Sequence, residues 1–352
     1  MIAYGIGLLA GALNIIPESA KPVQDIITSV TVPLAIPLML FSANIKSWLH
    51  LAGKTFLSML IAVFSVVVMV VLGYVLFNTG KGDEPFWKIG GLLIGVYTGG
   101  TPNIAALKLM LNVDNDVFLL VNAYDMIISA FYFFFLITVA QKVFQLVLPK
   151  FKTSLTEQER KQFKEAAKDP YWGILQKKNF FPLMKGLGLS VLIFAIGGGL
   201  MMIVPEKVQM IVVILTITTL GILASLIPGV NRIPKTFELG MYLILIFSID
   251  VASMVNLSDM LGSSPHVFYY VALVIFGSLF LQVIISAFFK IDADTTIVTS
   301  TAMICSPPFV PAVAGALKNK EVVISGLTVG IIGYAIGNYL GVIVAEFLKA
   351  YF

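Results

Sequence analysis

Two short stretches of this 352-residue chain break otherwise apolar runs with residues that can grip a solute. The first reads Thr98-Gly99-Gly100-Thr101-Pro102-Asn103, and the second reads Thr301-Ala302-Met303-Ile304-Cys305-Ser306-Pro307-Pro308. Paired glycines permit a tight reversal or an unwound turn. Thr101 followed by Pro102 is a helix start: a side-chain cap, then a residue whose missing N–H costs nothing in the first turn. Ser306-Pro307 repeats that logic without the glycines, and prolines at 307, 308 and 311 cannot continue a regular helix. A helix start presents free amide donors that favour an anionic group. Carbonyls freed at the end of the preceding arm favour a cation such as sodium. Two carboxylates also lie inside apolar runs. Asp125 is one to two turns into the run after the first break, and Asp250 lies well inside another, beside Ser248. In hydrocarbon a carboxylate costs several kcal/mol unless it is paired, hydrated or protonated, so cation coordination or proton carriage is expected of both. Ser42, Asn44 and Asn122 join Ser248, Asp250 and Asp125 as candidate cation ligands, although Asn122 also suits interhelical hydrogen bonding.

The elements that must hold these residues are membrane helices. Hydrophobic residues make up 58% and charged residues 12% of the chain, against roughly 25% charged in a soluble domain. Mean hydropathy is +0.96. Apolar runs of 18 or more residues recur, each long enough to cross about 30 Å of hydrocarbon as a helix. Strands of a β-barrel would instead alternate over about 10 residues. Charges, prolines and glycines place spans near 1–16, 26–45, 56–77, 117–148, 187–204, 209–227, 236–257, 267–289 and 321–348. The interrupted segments occupy 89–113 and 295–317, and each arm has the length for about 15 Å, half the hydrocarbon. The connection 149–186 holds nine of the 23 Lys and Arg residues, which predicts a cytoplasmic loop and an inner-membrane location. Within it, Ser154-Leu155-Thr156-Glu157 is a capping box opening a solvated helix; no nucleic-acid partner is expected. His50 and His266 sit in loops, Cys305 has no disulfide partner, and no nucleophile–base pair or phosphate-binding motif occurs. Enzyme activity has no positive support, and sodium is the one small ion expected.

An internal repeat organises the chain. Leu38-Met39-Leu40-Phe41-Ser42-Ala43-Asn44-Ile45 parallels Ile244-Leu245-Ile246-Phe247-Ser248-Ile249-Asp250-Val251. Each is followed by a polar loop, a β-branched span, an interrupted segment and a long span. The expected organisation is a first repeat at 1–148, a linker with an extra helix at 149–208, and a second repeat at 209–352. If the interrupted segments cross the membrane, the halves are parallel; if they re-enter, the halves are inverted. The Lys/Arg balance ties at seven either way, and a broken segment in each half favours inverted repeats with re-entrant hairpins. Gly326, Gly330, Gly333, Gly337 and Gly341 strip one face of the last span for close packing.

With these motifs, nearly the whole chain resembles the YjcL-like family of uncharacterised bacterial multi-spanning proteins. More distantly its layout is similar to sodium–glutamate and sodium–citrate symporters. The latter resemblance implies inverted repeats, a re-entrant hairpin in each half and elevator-type movement. Two departures stand out: the second segment lacks the paired glycines those symporters use, and the chain starts after the point where the family leads one to expect a further helix. The expected function is a sodium-coupled secondary transporter of a small organic anion, amino acid or short peptide. Thr98 to Asn103 and Thr301, Cys305, Ser306, Pro307 and Pro308 would line its substrate site. A homodimer in the bilayer is the expected assembly. The rival readings are a cation/proton antiporter using Asp125 and Asp250, and a non-transporting receptor or scaffold.

Overall fold

Apolar runs with no water to satisfy their amides close their hydrogen bonds along the chain, so every regular element among the described residues is helical. The structure, a computed structural model, describes residues 6–7, 9–11, 13, 15–42, 53–78, 86–151, 176–254, 264–319 and 321–351. Its elements are α1 (Lys21–Phe41), α2 (Gly53–Phe77), α3 (Phe86–Gly99), α4 (Thr101–Met110), α5 (Asn115–Thr138) and α6 (Lys177–Leu200). They continue as α7 (Gln209–Ser225), α8 (Thr236–Ser253), α9 (Pro265–Phe288), α10 (Ala293–Ser300), α11 (Val310–Ala316) and α12 (Val322–Tyr351). Seven of these, α1, α2, α5, α6, α8, α9 and α12, are long and apolar enough to cross a membrane. The chain is thus an all-α polytopic membrane protein.

The described helices correct several expected boundaries. The span expected at 187–204 begins earlier, at Lys177, and that at 26–45 begins at Lys21. The long span at 117–148 breaks at Val139 (φ −120°), after which Ala140–Phe144 forms a separate short helix. Asn44 and the capping box 154–157 lie outside the described residues.

The chain packs as two compact units, each drawn from both halves of the sequence. Unit 1 comprises Met1–Asn44, Thr101–Ala123 and Pro170–His266; unit 2 comprises Ile45–Gly100, Tyr124–Asp169 and Val267–Phe352. Within unit 1, α1 runs antiparallel to α8. At one end Gln24 Nε2 donates to Ser253 Oγ and Thr28 Oγ1 to Asp250 Oδ2, both at 2.9 Å. Toward the other end Gly240 packs against Ala35 and Met39. Ser190 Oγ on α6 donates to Leu34 O at 2.7 Å. Within unit 2, α2 runs antiparallel to α9: Gly73 meets Tyr270, Met69 meets Gly277, and Lys54 Nζ donates to Lys290 O at 3.1 Å. The partners in each pair are the spans that the sequence comparison of the two halves sets against each other.

Candidate functional site

Unit 2 is built along α12. The buried glycine face of α12 lets three elements approach its backbone in succession. Gly326 packs on Val298 and Val310, Gly330 on Pro307, and Gly333 on the carbonyl oxygen of Thr98. Further along, Gly90 of α3 packs on Leu348, and Lys349 Nζ lies 4.8 Å from the centroid of the Trp87 ring. The start of α3 therefore lies at the C-terminal end of α12, and its tip at Thr98 reaches the middle.

The second interrupted segment reaches the same level from the other end. Asp294, in the first turn of α10, accepts from Asn319 Nδ2 (2.9 Å), just past α11, and from Gln141 Nε2 (2.8 Å). The same Gln141 amide nitrogen reaches Leu317 O at 3.3 Å. The chain thus enters and leaves at one end, making α10–α11 a helical hairpin. Asp292 caps α10, its Oδ1 accepting from the Thr295 amide at 2.8 Å. Past Ser300 the helix widens into a π-turn, Thr301–Cys305, and stops at Ser306 (φ 84°, ψ 156°). That backbone region is essentially reserved for glycine, and a side chain held there costs about 1–3 kcal/mol.

The two breaks meet. Gly100 has φ +70°, and its amide donates to Val96 O at 2.8 Å, closing α3. A Cβ on Gly100 would overlap Ser306 Oγ, so the reversal needs glycine twice over, for its φ and for this approach. Two helix C-terminal ends, those of α3 and of the π-turn, converge here with partial negative charge.

Asp125 completes the group. It sits about three turns into α5, deeper than its expected place, because α5 begins at Asn115. Its Oδ1 accepts from Tyr97 Oη and Ser129 Oγ, both at 2.9 Å. Its Oδ2 accepts no hydrogen bond among the described residues. The Cys305 thiol lies within electrostatic range of Asp125 and Tyr97. Tyr132 Oη shares a 2.7 Å hydrogen bond with Ser300 Oγ under the same tip.

The other expected residues distribute as follows. Thr98, Gly99 and Gly100 join Thr301, Cys305, Ser306 and Pro307 in unit 2, while Pro308 is exposed. Thr101, Pro102 and Asn103 open α4 in unit 1. Ser42, Asn122, Ser248 and Asp250 also belong to unit 1, so the cation-ligand candidates do not share one unit with Asp125. Asp250 lies in the last turn of α8, not well inside it, because the described helix ends at Ser253. Several candidate hydroxyls donate back along their own helices: Thr98 to Ile94 O, Thr301 to Ile297 O and Ser248 to Ile244 O, at 2.7–2.8 Å. Asn122 Nδ2 bonds Phe118 O and Ser42 Oγ bonds Met39 O in the same way. A donating hydroxyl keeps its lone pairs, so Thr98, Thr301 and Ser248 can still accept or coordinate. Sequence reasoning passed over Tyr97, Tyr132 and, in unit 1, Gln24 and Thr28. Ser129, four residues after Asp125 on one helix, was legible.

The fold and this arrangement define a polytopic membrane protein in which two helix breaks meet. It belongs to the family described as "Protein of unknown function (DUF819)", whose model matches residues 1–351. The chain is 25% identical to the "Uncharacterized membrane protein YjcL" of Bacillus subtilis (strain 168) over 368 residues, covering 99% of this chain and 91% of that protein.

Proposed function

We propose that this protein is a secondary active transporter whose solute and coupling ion bind at the meeting of the two breaks in unit 2. The carrying observation is the contact of Gly100 with Ser306 beside Asp125, with one carboxylate oxygen left without a hydrogen bond. Non-helical backbone at this depth is tolerated where it lines a cavity or binds something. The approach of α3 and of the α10–α11 hairpin from opposite ends of α12, and the antiparallel pairing of repeat-equivalent helices within each unit, support inverted halves. Sodium is the proposed coupling ion, because the freed carbonyls and Asp125 favour a cation. A small organic anion, amino acid or short peptide is the proposed substrate. Each unit has its own core, as rigid-body movement of the elevator type requires. An inner-membrane location with 149–186 in the cytoplasm, and a homodimer, belong to the same reading.

The test is a thermal-shift screen of the purified full chain against organic anions, amino acids and peptides, with and without sodium, followed by flux in proteoliposomes. Sodium-dependent stabilisation by one ligand class, with uptake that is lost in Gly100→Val, supports transport. Proton flux without organic substrate, lost in Asp125→Asn or Asp250→Asn, would replace it with the antiporter reading. Absence of both ligand stabilisation and flux would leave a receptor or scaffold.

A further inference from the structure

Unit 2 contains a second polar group, away from the two tips, where α2 packs against α9 and α10. On α2, Thr55 and Ser58 are 6% and 0% exposed; on α9, Gln282 and Ser286 are 1% and 0% exposed. The spacing three apart on α2 and four apart on α9 puts each pair on one helix face. The antiparallel register, Lys54 beside Lys290 and Ser58 beside Gln282, brings Ser286 level with Thr55 and Ser58.

These side chains are under-bonded. Gln282 Nε2 reaches Ser58 Oγ and Thr296 O only at 3.5 Å, the outer limit of a hydrogen bond. Ser286 Oγ is buried with no partner among the described residues. Thr55 Oγ1, Gln282 Oε1 and the Ser58 hydroxyl proton bond nothing among the described residues. Other buried hydroxyls of this unit do bond their own helices: Ser65 to Ile61 O, Ser278 to Ile275 O and Thr299 to Thr295 O. Leaving such groups bare in an apolar interior costs about 1–3 kcal/mol each, so an unfilled cluster of four would be a heavy burden on the fold. A bound guest removes that cost.

The surroundings decide which guest. Three buried hydroxyls and the Gln282 amide lie on the facing sides of α2 and α9, neutral oxygen donors of the type a hard cation takes. One turn along α10 from Thr296 lies Asp292, and Asp294 follows; they are 8% and 4% exposed. Their hydrogen-bond partners are all neutral: Thr295, Gln141 and Asn319. Lys54, next to Thr55 on α2, keeps its ammonium exposed on Lys290 O. Two buried carboxylates without a basic partner among the described residues favour a monovalent cation over an anion or a neutral solute.

We propose that Thr55, Ser58, Gln282 and Ser286 form a sodium site at the base of the α10–α11 hairpin, separate from the Asp125 site. It deepens the transport reading by adding a second sodium seat to the one at the tips, and it rests on that reading only for the ion's role in transport.

The experiment is sodium titration of the purified full chain in choline chloride, read as the melting midpoint, with potassium as the comparison ion. Gln282→Met and Ser286→Ala are the variants, the second conservative enough to keep the fold if the first does not. Sodium, and not potassium, raises the wild-type midpoint, and each variant raises the half-saturating sodium concentration at least tenfold. An unchanged half-saturation in both variants would overturn the site and leave a bound water only, with the transport reading intact. No sodium effect in the wild type, with substrate still stabilising, overturns the site and sodium as the coupling ion, and leaves the transport reading. No response to sodium or to any substrate overturns the site and the transport reading together.

Discussion

Ser306 is the most informative single residue. Its backbone occupies a conformation that glycine adopts freely, so Ser306→Gly is expected to stabilise the protein by about 1 kcal/mol, seen as a raised melting midpoint in detergent. A fall in the midpoint would mean that the serine side chain contributes more than its strain costs. Gly100→Ala acts in the opposite direction, since the new Cβ meets Ser306 Oγ and φ stays positive; a loss of about 1–3 kcal/mol is expected in the same assay. Tyr97→Phe removes one of the two hydroxyls on Asp125 Oδ1 and is expected to cost about 1.5–3 kcal/mol, the range for a bond to a charged group. Much of this chemistry was legible in the residues themselves. The glycine pair, the cap-then-proline sequences and Asp125 announce breaks and a buried charge by type alone. Tyr97 did not announce itself, because a tyrosine in an apolar run reads as core until its hydroxyl is seen to reach a carboxylate.

The α10–α11 hairpin depends on what closes its base. Asp294 there gathers the amides of Gln141 and Asn319, so one carboxylate ties both arms to the short helix after α5. Asp294→Ala would strand two half-buried amide donors and is expected to destabilise by about 1–3 kcal/mol, measured by thermal unfolding. Asp294→Asn keeps one acceptor oxygen and should lose less; equal losses in the two variants would remove the latch from the account. Close helix contacts matter as much. The Gly333→Leu side chain would force α12 away from the Thr98 carbonyl, and the expected result is loss of the folded state on size-exclusion chromatography in detergent. The glycine periodicity of α12 was readable as a packing face. Which element would fill each notch was not, because two segments about 200 residues apart supply Thr98 on one side and Val298 and Pro307 on the other.

At the scale of the molecule, the two units cut across the duplicated halves. A hydropathy profile orders spans along the chain but carries no information on which spans share a core. The antiparallel pairing of α1 with α8 can be checked in a Cys305→Ser background. A short thiol crosslinker should join Thr28→Cys to Asp250→Cys, and a product of unchanged mobility would count against the pairing. Sidedness is tested by Lys168→Cys in the same background, which should react with an impermeant maleimide only after cells are opened.

The helical class, the approximate spans and the positions of both interruptions follow from the sequence by itself. A bilayer leaves the backbone no partners but its own, and prolines and glycines mark where that ladder fails. Only the tertiary structure decided that the interruptions meet, at Gly100 and Ser306, and that Asp125 stands beside them while Asp250 is held by Thr28 in the other unit. Lipid gives helices no hydrophobic reason to choose one neighbour over another. Their arrangement comes instead from small-residue notches and single polar contacts between residues far apart in the chain, whose partners no local pattern names.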